Sequence, residues 1–262
     1  MNTVKLFSLR KRERTPISMV TCYDAWSAKI LNKTNVDCLL VGDSLASVIH
    51  GFDSTIHATI EMMTLHTAAV ARSAKKKFII SDMPFLTCSR GIEYAMEALE
   101  SLVKAGANAI KIEGAGDKLE IIEHIVKSGI PVMGHLGLQP QAINCTGGYQ
   151  VQAKGSVEKE RILEEAKQLE DVGCFSLVLE CVPSEVGECI TQSLVIPTIG
   201  IGAGARTNGQ VLVLHDLLGV DSDFEPKYLR KYADLEKIVS VSLENFHDDV
   251  RSSSFPSMSE SY

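Results

Sequence analysis

Three acids, Asp43, Asp82 and Glu113, each finish a short apolar run that reads as a β-strand: VDCLLVGDS (36–44), KKFIISD (76–82) and NAIKIEG (108–114). If those runs lie side by side, the carboxylates share one mouth and repel one another unless a cation sits between them. A hard ion that keeps open positions for water or substrate oxygens, such as Mg²⁺, suits such a group. The plain alternative is three solvated acids on separate loops. Lys111 stands two residues before Glu113, so both project from the same side of one strand. An ammonium there suits a substrate carboxylate or a developing enolate oxygen, or else a structural ion pair. Glu180, in LVLEC, has apolar neighbours on both sides. Such surroundings suit a general base, or a buried acid paired for structure. His135 closes IPVMGHLG (130–137), and His215 and Asp216 close QVLVLHD (210–216).

These side chains can meet only if the fold holds its strands side by side. The remaining runs are ISMVTCYD (17–24), FSLVLECV (175–182) and IPTIGIGAG (196–204), and helical patterns fill most gaps. Continuously apolar runs between helices read as parallel strands covered on both faces. Eight such units predict a (β/α)₈ barrel, one domain over 1–262, with reacting groups at the carboxyl ends of the strands. Expected helices are 25–34, with Trp26, Ile30 and Leu31 at core spacing, 59–74, 91–105, 117–128, 157–172, 183–192 and 227–249. Ser89 and Ser156 are the expected caps of the third and fifth. Ile162, Leu163, Ala166 and Leu169 form the stripe of the fifth; Leu235, Ile238, Val239, Leu243 and Phe246 form that of the last. His66 reads as a satisfied histidine on a helix face, and the tail from about 250 as frayed.

One connection breaks the pattern. LGLQPQAINCTGGYQVQAKG (136–155) is long, aperiodic, and leaves the fifth strand at its carboxyl end, as a functional lid would. Gly147 and Gly148 offer bending freedom there, and Asn144 and Tyr149 offer recognition chemistry. The glycines of IGIGAG (199–204) lack the spacing of a dinucleotide loop. Either close backbone approach to a ligand or packing at a strand end accounts for them.

The net charge of −7 argues against general nucleic-acid binding, which favours a basic face. Seven cysteines, an odd number without C-x-x-C, read as buried reduced thiols rather than a zinc cluster. No 18-residue apolar stretch exists, and the start lacks the apolar core of a secretory signal, so the cytoplasm is the expected compartment. The charged segment 1–16 is expected to close the barrel floor as a solvated stretch.

At the level of strings, the chain resembles the ketopantoate hydroxymethyltransferase (3-methyl-2-oxobutanoate hydroxymethyltransferase) family. The resemblance runs from Thr21 to Pro226. It rests on TCYDAWSAK, LLVGDSL, GFDST, HTAAVAR, SDMPF, KAGANAIKIEG, PVMGHLGLQPQ, GGYQVQ, LVLECVP, IPTIGIGAG and GQVLVLHDLLG in order. The family is similar to the phosphoenolpyruvate/pyruvate barrel enzymes. The resemblance implies an Mg²⁺ site of Asp43, Asp82 and Glu113, keto-acid contacts from Asp43, Ser44, Asp82, Lys111 and His135, and Glu180 as catalytic base. It implies Mg²⁺-assisted enolate formation from 3-methyl-2-oxobutanoate and transfer of a one-carbon unit from 5,10-methylenetetrahydrofolate, giving 2-dehydropantoate for pantothenate synthesis. It also implies a homo-oligomer, often of ten subunits. Ala46, His50 and Thr146 depart from the family pattern beside the site. A lyase or mutase of the related barrels, needing no folate, and a non-catalytic metabolite-binding barrel are the rival readings.

Overall fold

The computed structural model describes residues 3–142 and 150–262. All eight apolar runs form strands: β1 (Ile17–Thr21), β2 (Cys38–Val41), β3 (Phe78–Asp82), β4 (Ala109–Glu113), β5 (Val132–Gly137), β6 (Ser176–Glu180), β7 (Thr198–Ile201) and β8 (Gly209–Leu212). Each pairs in parallel with the next and β8 pairs with β1, closing a barrel. Closure leaves no strand edge, and helices cover the outer face, so neither face of a strand needs polar residues. The chain divides into two compact units, Met1–Val213, which holds the whole barrel, and Leu214–Tyr262.

Inside the barrel one alternation decides where chemistry can sit. Residues two apart share a face. The interior core contains Ile17 and Met19, Cys38 and Leu40, Phe78 and Ile80, Ala109, Met133, Val178, Ile199 and Val211. The next steps along the same faces are Asp82 on β3, Lys111 and Glu113 on β4, His135 on β5 and Glu180 on β6. The register sets Asp82 beside Lys111 and Glu113 beside His135. Apolar layers thus fill the floor, and the ionisable layer lies at the carboxyl ends.

The floor is closed by a helix, α1 (Val4–Arg12), where a solvated stretch was expected. Phe7 is buried and packs edge-on against Phe78 and Phe175, 5.7 and 5.0 Å between ring centres. Lys11 donates from Nζ to the carbonyls of Thr191, Leu194 and Ile196 at 2.8–3.0 Å. Five basic residues before position 15 hide this helix from a periodicity reading.

The outer helices are α2 (Ala25–Leu31), the short α3 (Leu45–Val48), α4 (Ile60–Ser73), α5 (Ile92–Ala105), α6 (Leu119–Lys127), α7 (Ser156–Asp171) and α8 (Ser184–Ser193). Several expectations need correction. In α2 it is Ser27, Ala28 and Leu31 that are buried, while Trp26 and Ile30 are exposed. Two apolar stripes compete on that helix, and the smaller residues face the barrel. Gly91, not Ser89, caps α5, and its φ of 96° needs a glycine. Gly155 precedes α7, and the Glu158 carboxylate reaches back over the helix start to accept from Lys154 and Gly155 N–H at 3.0 and 3.3 Å. Glu158 is therefore more than a solvated charge. The stripe of α7 does face inward through Ile162, Ala166 and Leu169.

In the second unit, His215 and Asp216 lie on a short helix, α9 (Leu214–Leu218), because β8 stops at Leu212. The last helix, α10 (Leu235–Arg251), starts where the Asp234 side chain accepts from Lys237 N–H, eight residues later than expected from 227. Its apolar residues form no core, since none of α10 is buried within this chain. A 3-10 turn at Met258–Glu260 gives the tail some order. Among the described cysteines all are free thiols; Cys22, Cys38 and Cys174 are buried as expected, but Cys189 is exposed. No described helix is long and apolar enough to cross a membrane.

Candidate active site

Lys111 lies at the centre of the ionisable layer. Its Nζ lies 3.1 Å from Asp82 Oδ1, 3.8 Å from Glu113 Oε1 and 3.3 Å from His135 Nδ1, and all these side chains are nearly sealed from solvent. His135 bridges two acids, with Nδ1 3.2 Å from Glu113 Oε1 and Nε2 3.1 Å from Glu180 Oε2. Asp43, just beyond β2, donates its backbone N–H to Asp82 Oδ2 at 3.0 Å. Ser44 Oγ meets the Tyr23 hydroxyl at 2.8 Å. Asp43, Ser44, Asp82, Lys111, Glu113, His135 and Glu180 therefore belong to one contact network or its edge. His215 and Asp216 lie in the second unit.

Charge in this layer is strongly redistributed. Burial pushes Asp43 well above the ordinary carboxylate range, and the Asp82 and Glu113 charges add to it. Burial also raises Asp82, against the pull of Lys111. Burial opposes ionisation of Glu113 too, but His135, Lys111 and the Gln141 N–H outweigh it and hold that carboxyl low. Burial pushes Lys111 down; Asp82, Glu113 and Asp43 reverse the sign and leave it raised. For His135, burial and the Lys111 charge lower the pKa, yet Glu113 and Glu180 raise it to about 9. The two acids thus favour the protonated ring.

Two buried atoms are under-used. Asp82 Oδ1 and His135 Nε2 have close ionic neighbours but no hydrogen bond of proper geometry. Among the described residues no three His, Cys, Asp or Glu groups converge to hold an ion by themselves. Asp43 and Asp82 nonetheless fit a hard cation. They adjoin, burial and neighbouring carboxylates disfavour their ionisation without one, and among the described residues Asp82 Oδ1 has only the Lys111 ammonium, at 3.1 Å, beside it. Mg²⁺ commonly takes one or two carboxylates and fills its shell with water and substrate oxygens. Glu113, already engaged by His135, Lys111 and Gln141, stands one step further away.

The surroundings of Glu180 differ from the expectation of an apolar cradle. Its flanking Leu179 points to the other face of β6, and the carboxylate instead meets His135, with 16% of the side chain exposed. The next residue, Cys181, has φ of 48°, uncommon for a side chain with Cβ, and its N–H donates to Ile201 O. The strand end therefore turns sharply just after Glu180. Two glycines of 199–204 are closely packed: a Cβ on Gly200 would come within 2.8 Å of Thr207 Oγ1, and one on Gly204 within 2.6 Å of Ser184 Cβ.

His66 is satisfied, as expected. Nδ1 meets Tyr23 O at 2.5 Å and Nε2 meets His50 Nε2 at 3.0 Å. Tyr23 and Gln141 were not singled out by sequence reasoning. Both are uncharged at neutral pH, and only their presence in TCYDAWSAK and LGLQPQ hinted at them. Of the long connection 136–155, Gln141 reaches the acids and Gln152 N–H donates to Cys181 O at 2.8 Å. Asn144, Thr146, Gly147, Gly148 and Tyr149 lie outside the described residues.

A closed parallel barrel with acids, a lysine and a histidine on the inner faces of its strand ends defines the class: a (β/α)₈ enzyme. The chain belongs to the ketopantoate hydroxymethyltransferase family, whose model matches residues 1–258. It is 52% identical over 257 residues to the 3-methyl-2-oxobutanoate hydroxymethyltransferase of Coxiella burnetii (strain CbuG_Q212), covering 98% of this chain and 96% of that protein. The enzyme of the same name from Francisella tularensis subsp. novicida (strain U112) is 47% identical over 262 residues, covering 100% and 99%. Among solved structures, phosphonopyruvate hydrolase complexed with oxalate and Mg²⁺ superposes with a TM-score of 0.64 at 10% identity, covering 99% of this chain and 93% of that one. A 2,3-dimethylmalate lyase of the PEP mutase/isocitrate lyase superfamily gives 0.61 at 15%, covering 96% and 88%. These two likenesses concern the fold.

Proposed function

We propose that this chain adds the one-carbon unit of 5,10-methylenetetrahydrofolate to C3 of 3-methyl-2-oxobutanoate, with a water molecule supplying the new hydroxyl and releasing tetrahydrofolate, to give 2-dehydropantoate, a step of pantothenate synthesis. The observation that carries the chemistry is the chain of contacts from Glu180 through His135 to Glu113 and Lys111. Glu180 takes the C3 proton of the keto acid, its carboxylate held in place by the His135 imidazolium. Lys111, cationic and buried, faces the negative charge that develops on the substrate oxygen. Such a donor acts strongly in a site of low dielectric. Ser44, held by Tyr23, and Asp43, Asp82 and His135 line the keto acid.

Asp43, Asp82 and Glu113 would hold Mg²⁺, with Glu113 the outermost of the three. When bound, that ion supplies Lewis-acid polarisation of the keto group and neutralises part of the acid cluster. The folate is a cosubstrate that leaves changed. The exposed apolar side chains Ile238, Val239, Leu243, Phe246 and Val250 of α10 favour a homo-oligomer, with a decamer one form it could take. A cytoplasmic enzyme without nucleic-acid or membrane partners is the corresponding setting.

The test is a single incubation with Mg²⁺ and 3-methyl-2-oxobutanoate in deuterated water, followed by addition of the folate. Exchange at C3 without folate and 2-dehydropantoate formation with it are expected. Binding without exchange would favour a non-catalytic barrel. Cleavage of a pyruvate-type substrate without folate would favour the lyase and mutase relatives.

A further inference from the structure

Gln141 makes contacts that no role described so far uses. It lies in the 3-10 turn Pro140–Ala142 that follows β5. From there it reaches the ends of three other strands. Its backbone N–H donates to Glu113 Oε2 at 3.2 Å, at the end of β4. Its side-chain Nε2 donates to Asp43 Oδ2 at 2.8 Å, beyond β2, and to Met83 O at 3.0 Å, beyond β3. Both side-chain acceptors are oxygens, one a carboxylate and one a carbonyl. The amide can therefore present only its NH₂ group, and the flipped orientation would set oxygen against oxygen. Both protons are spent, so the torsion of the side chain is fixed as well.

We infer that Gln141 is a positioning residue for the cation site, holding the Asp43 carboxylate in the rotation that leaves Oδ1 free of Gln141 and bracing Glu113 beside it. The inference rests on the Mg²⁺ reading given above. Its physical basis is cumulative. A carboxylate without such a partner rotates about χ2 and pays to be ordered when a cation arrives. An N–H donor to one member of a crowded acid group also offsets repulsion before the cation binds. Groups that orient metal ligands in this way commonly contribute about 10–100-fold to affinity.

The probe is Mn²⁺, as a paramagnetic stand-in for Mg²⁺. Free Mn²⁺ is followed by electron paramagnetic resonance in titrations of the full chain, without keto acid or folate, and Mg²⁺ competition gives the second affinity. Gln141→Met keeps the length of the side chain, removes both donors and leaves the backbone N–H to Glu113. It is expected to weaken Mn²⁺ and Mg²⁺ binding about 10-fold or more, with a melting temperature in EDTA close to that of the unsubstituted chain. Gln141→Ala, which tolerates a tighter turn, should weaken binding to a similar degree and covers the case in which the methionine variant does not fold. Unchanged affinity in the folded variants, or a loss of melting temperature with normal affinity, would overturn the assignment and leave Gln141 a brace for the turn. No Mn²⁺ or Mg²⁺ binding by the unsubstituted chain would overturn the Mg²⁺ reading and this inference with it.

Discussion

Both ends of the barrel hold a lysine, half-buried at the floor and buried at the mouth, and they treat it differently. At the floor, Lys11 hands its charge to three backbone carbonyls, beside the triad of Phe7, Phe78 and Phe175. Its hydrogen bonds go to backbone carbonyls, and partial burial lowers its pKa against the charge of Glu170. At the mouth, Lys111 and His135 face Asp43, Asp82, Glu113 and Glu180, and both cations are raised above their ordinary values. Contacts are close there, yet Asp82 Oδ1 and His135 Nε2 still lack well-formed hydrogen bonds. Their ionic neighbours, Lys111 and Glu180, lie at 3.1 Å, so each atom keeps an electrostatic partner while its hydrogen-bonding capacity stays open to a ligand. One end is organised for stability, and the other for a bound guest.

The comparison breaks most sharply at Glu180. Glu180→Gln keeps the shape and a hydrogen-bonding group but cannot accept the C3 proton. Loss of a general base should lower deuterium exchange and product formation together by about 10²–10⁴-fold. Isothermal titration should still detect binding of 3-methyl-2-oxobutanoate in the presence of Mg²⁺. Normal exchange with failed transfer would move Glu180 to the folate side of the reaction. Lys111→Ala should cost about 10²-fold in rate, roughly 3 kcal/mol, the size of a lost oxyanion donor. A rate within twofold of the original would reduce Lys111 to a structural ion pair. Asp82→Ala should lose both metal and keto-acid binding, and full activity of that variant in excess chelator would sink the proposed cation site.

The floor should answer in the opposite currency. Phe7→Ala removes a buried ring from the barrel plug, a change that typically costs about 3–5 kcal/mol of stability. Denaturant melts should register that loss, while kcat of the remaining folded enzyme stays within about twofold. A large fall in kcat at unchanged stability would mean that floor and mouth are not separable.

Much of this division is legible in the residues because strand alternation is short-range. Phe78, Ile80 and Asp82, or Ala109, Lys111 and Glu113, show apolar floor and ionisable mouth within one run of five. The family strings carry the same positions independently. What resists reading depends on distance or on competing local signals. Gln141 bonds to Asp43 across 98 residues and has no charge to draw attention. On α2, the stripe of Trp26 and Ile30 outweighs in hydrophobicity the small residues that actually face inward. Ser89 and Ser156 are good caps by type, but Gly91 has the backbone conformation and Glu158 the reach. For Glu180, apolar neighbours in sequence occupy the opposite face, so the carboxylate finds a histidine instead.

The smallest expected effect concerns pH; Asp43 and Asp82, raised by burial, also lose stability as pH rises, so the difference in slope from a His135 variant is what reports on the ring. Its folded-state pKa of about 9 lies above the ordinary 6.5, so folding favours the protonated ring. The stabilising contribution is therefore complete below about 6.5 and is lost as pH rises through about 9. Lys111 is raised too, but from 10.5 upward, so its loss begins beyond that window. Glu113 is held low, and its contribution fades only as pH falls below the carboxylate range. Metal-free protein in EDTA should thus show a denaturant midpoint that declines between pH 6.5 and 9.5. In His135→Gln the same two acids meet a neutral amide, and the decline across that window should flatten even though the midpoint itself is lower at pH 6.5. An identical slope in both proteins would mean that the imidazole between Glu113 and Glu180 is neutral. The mouth would then hold one buried cation, and Glu180 would need another partner to orient it.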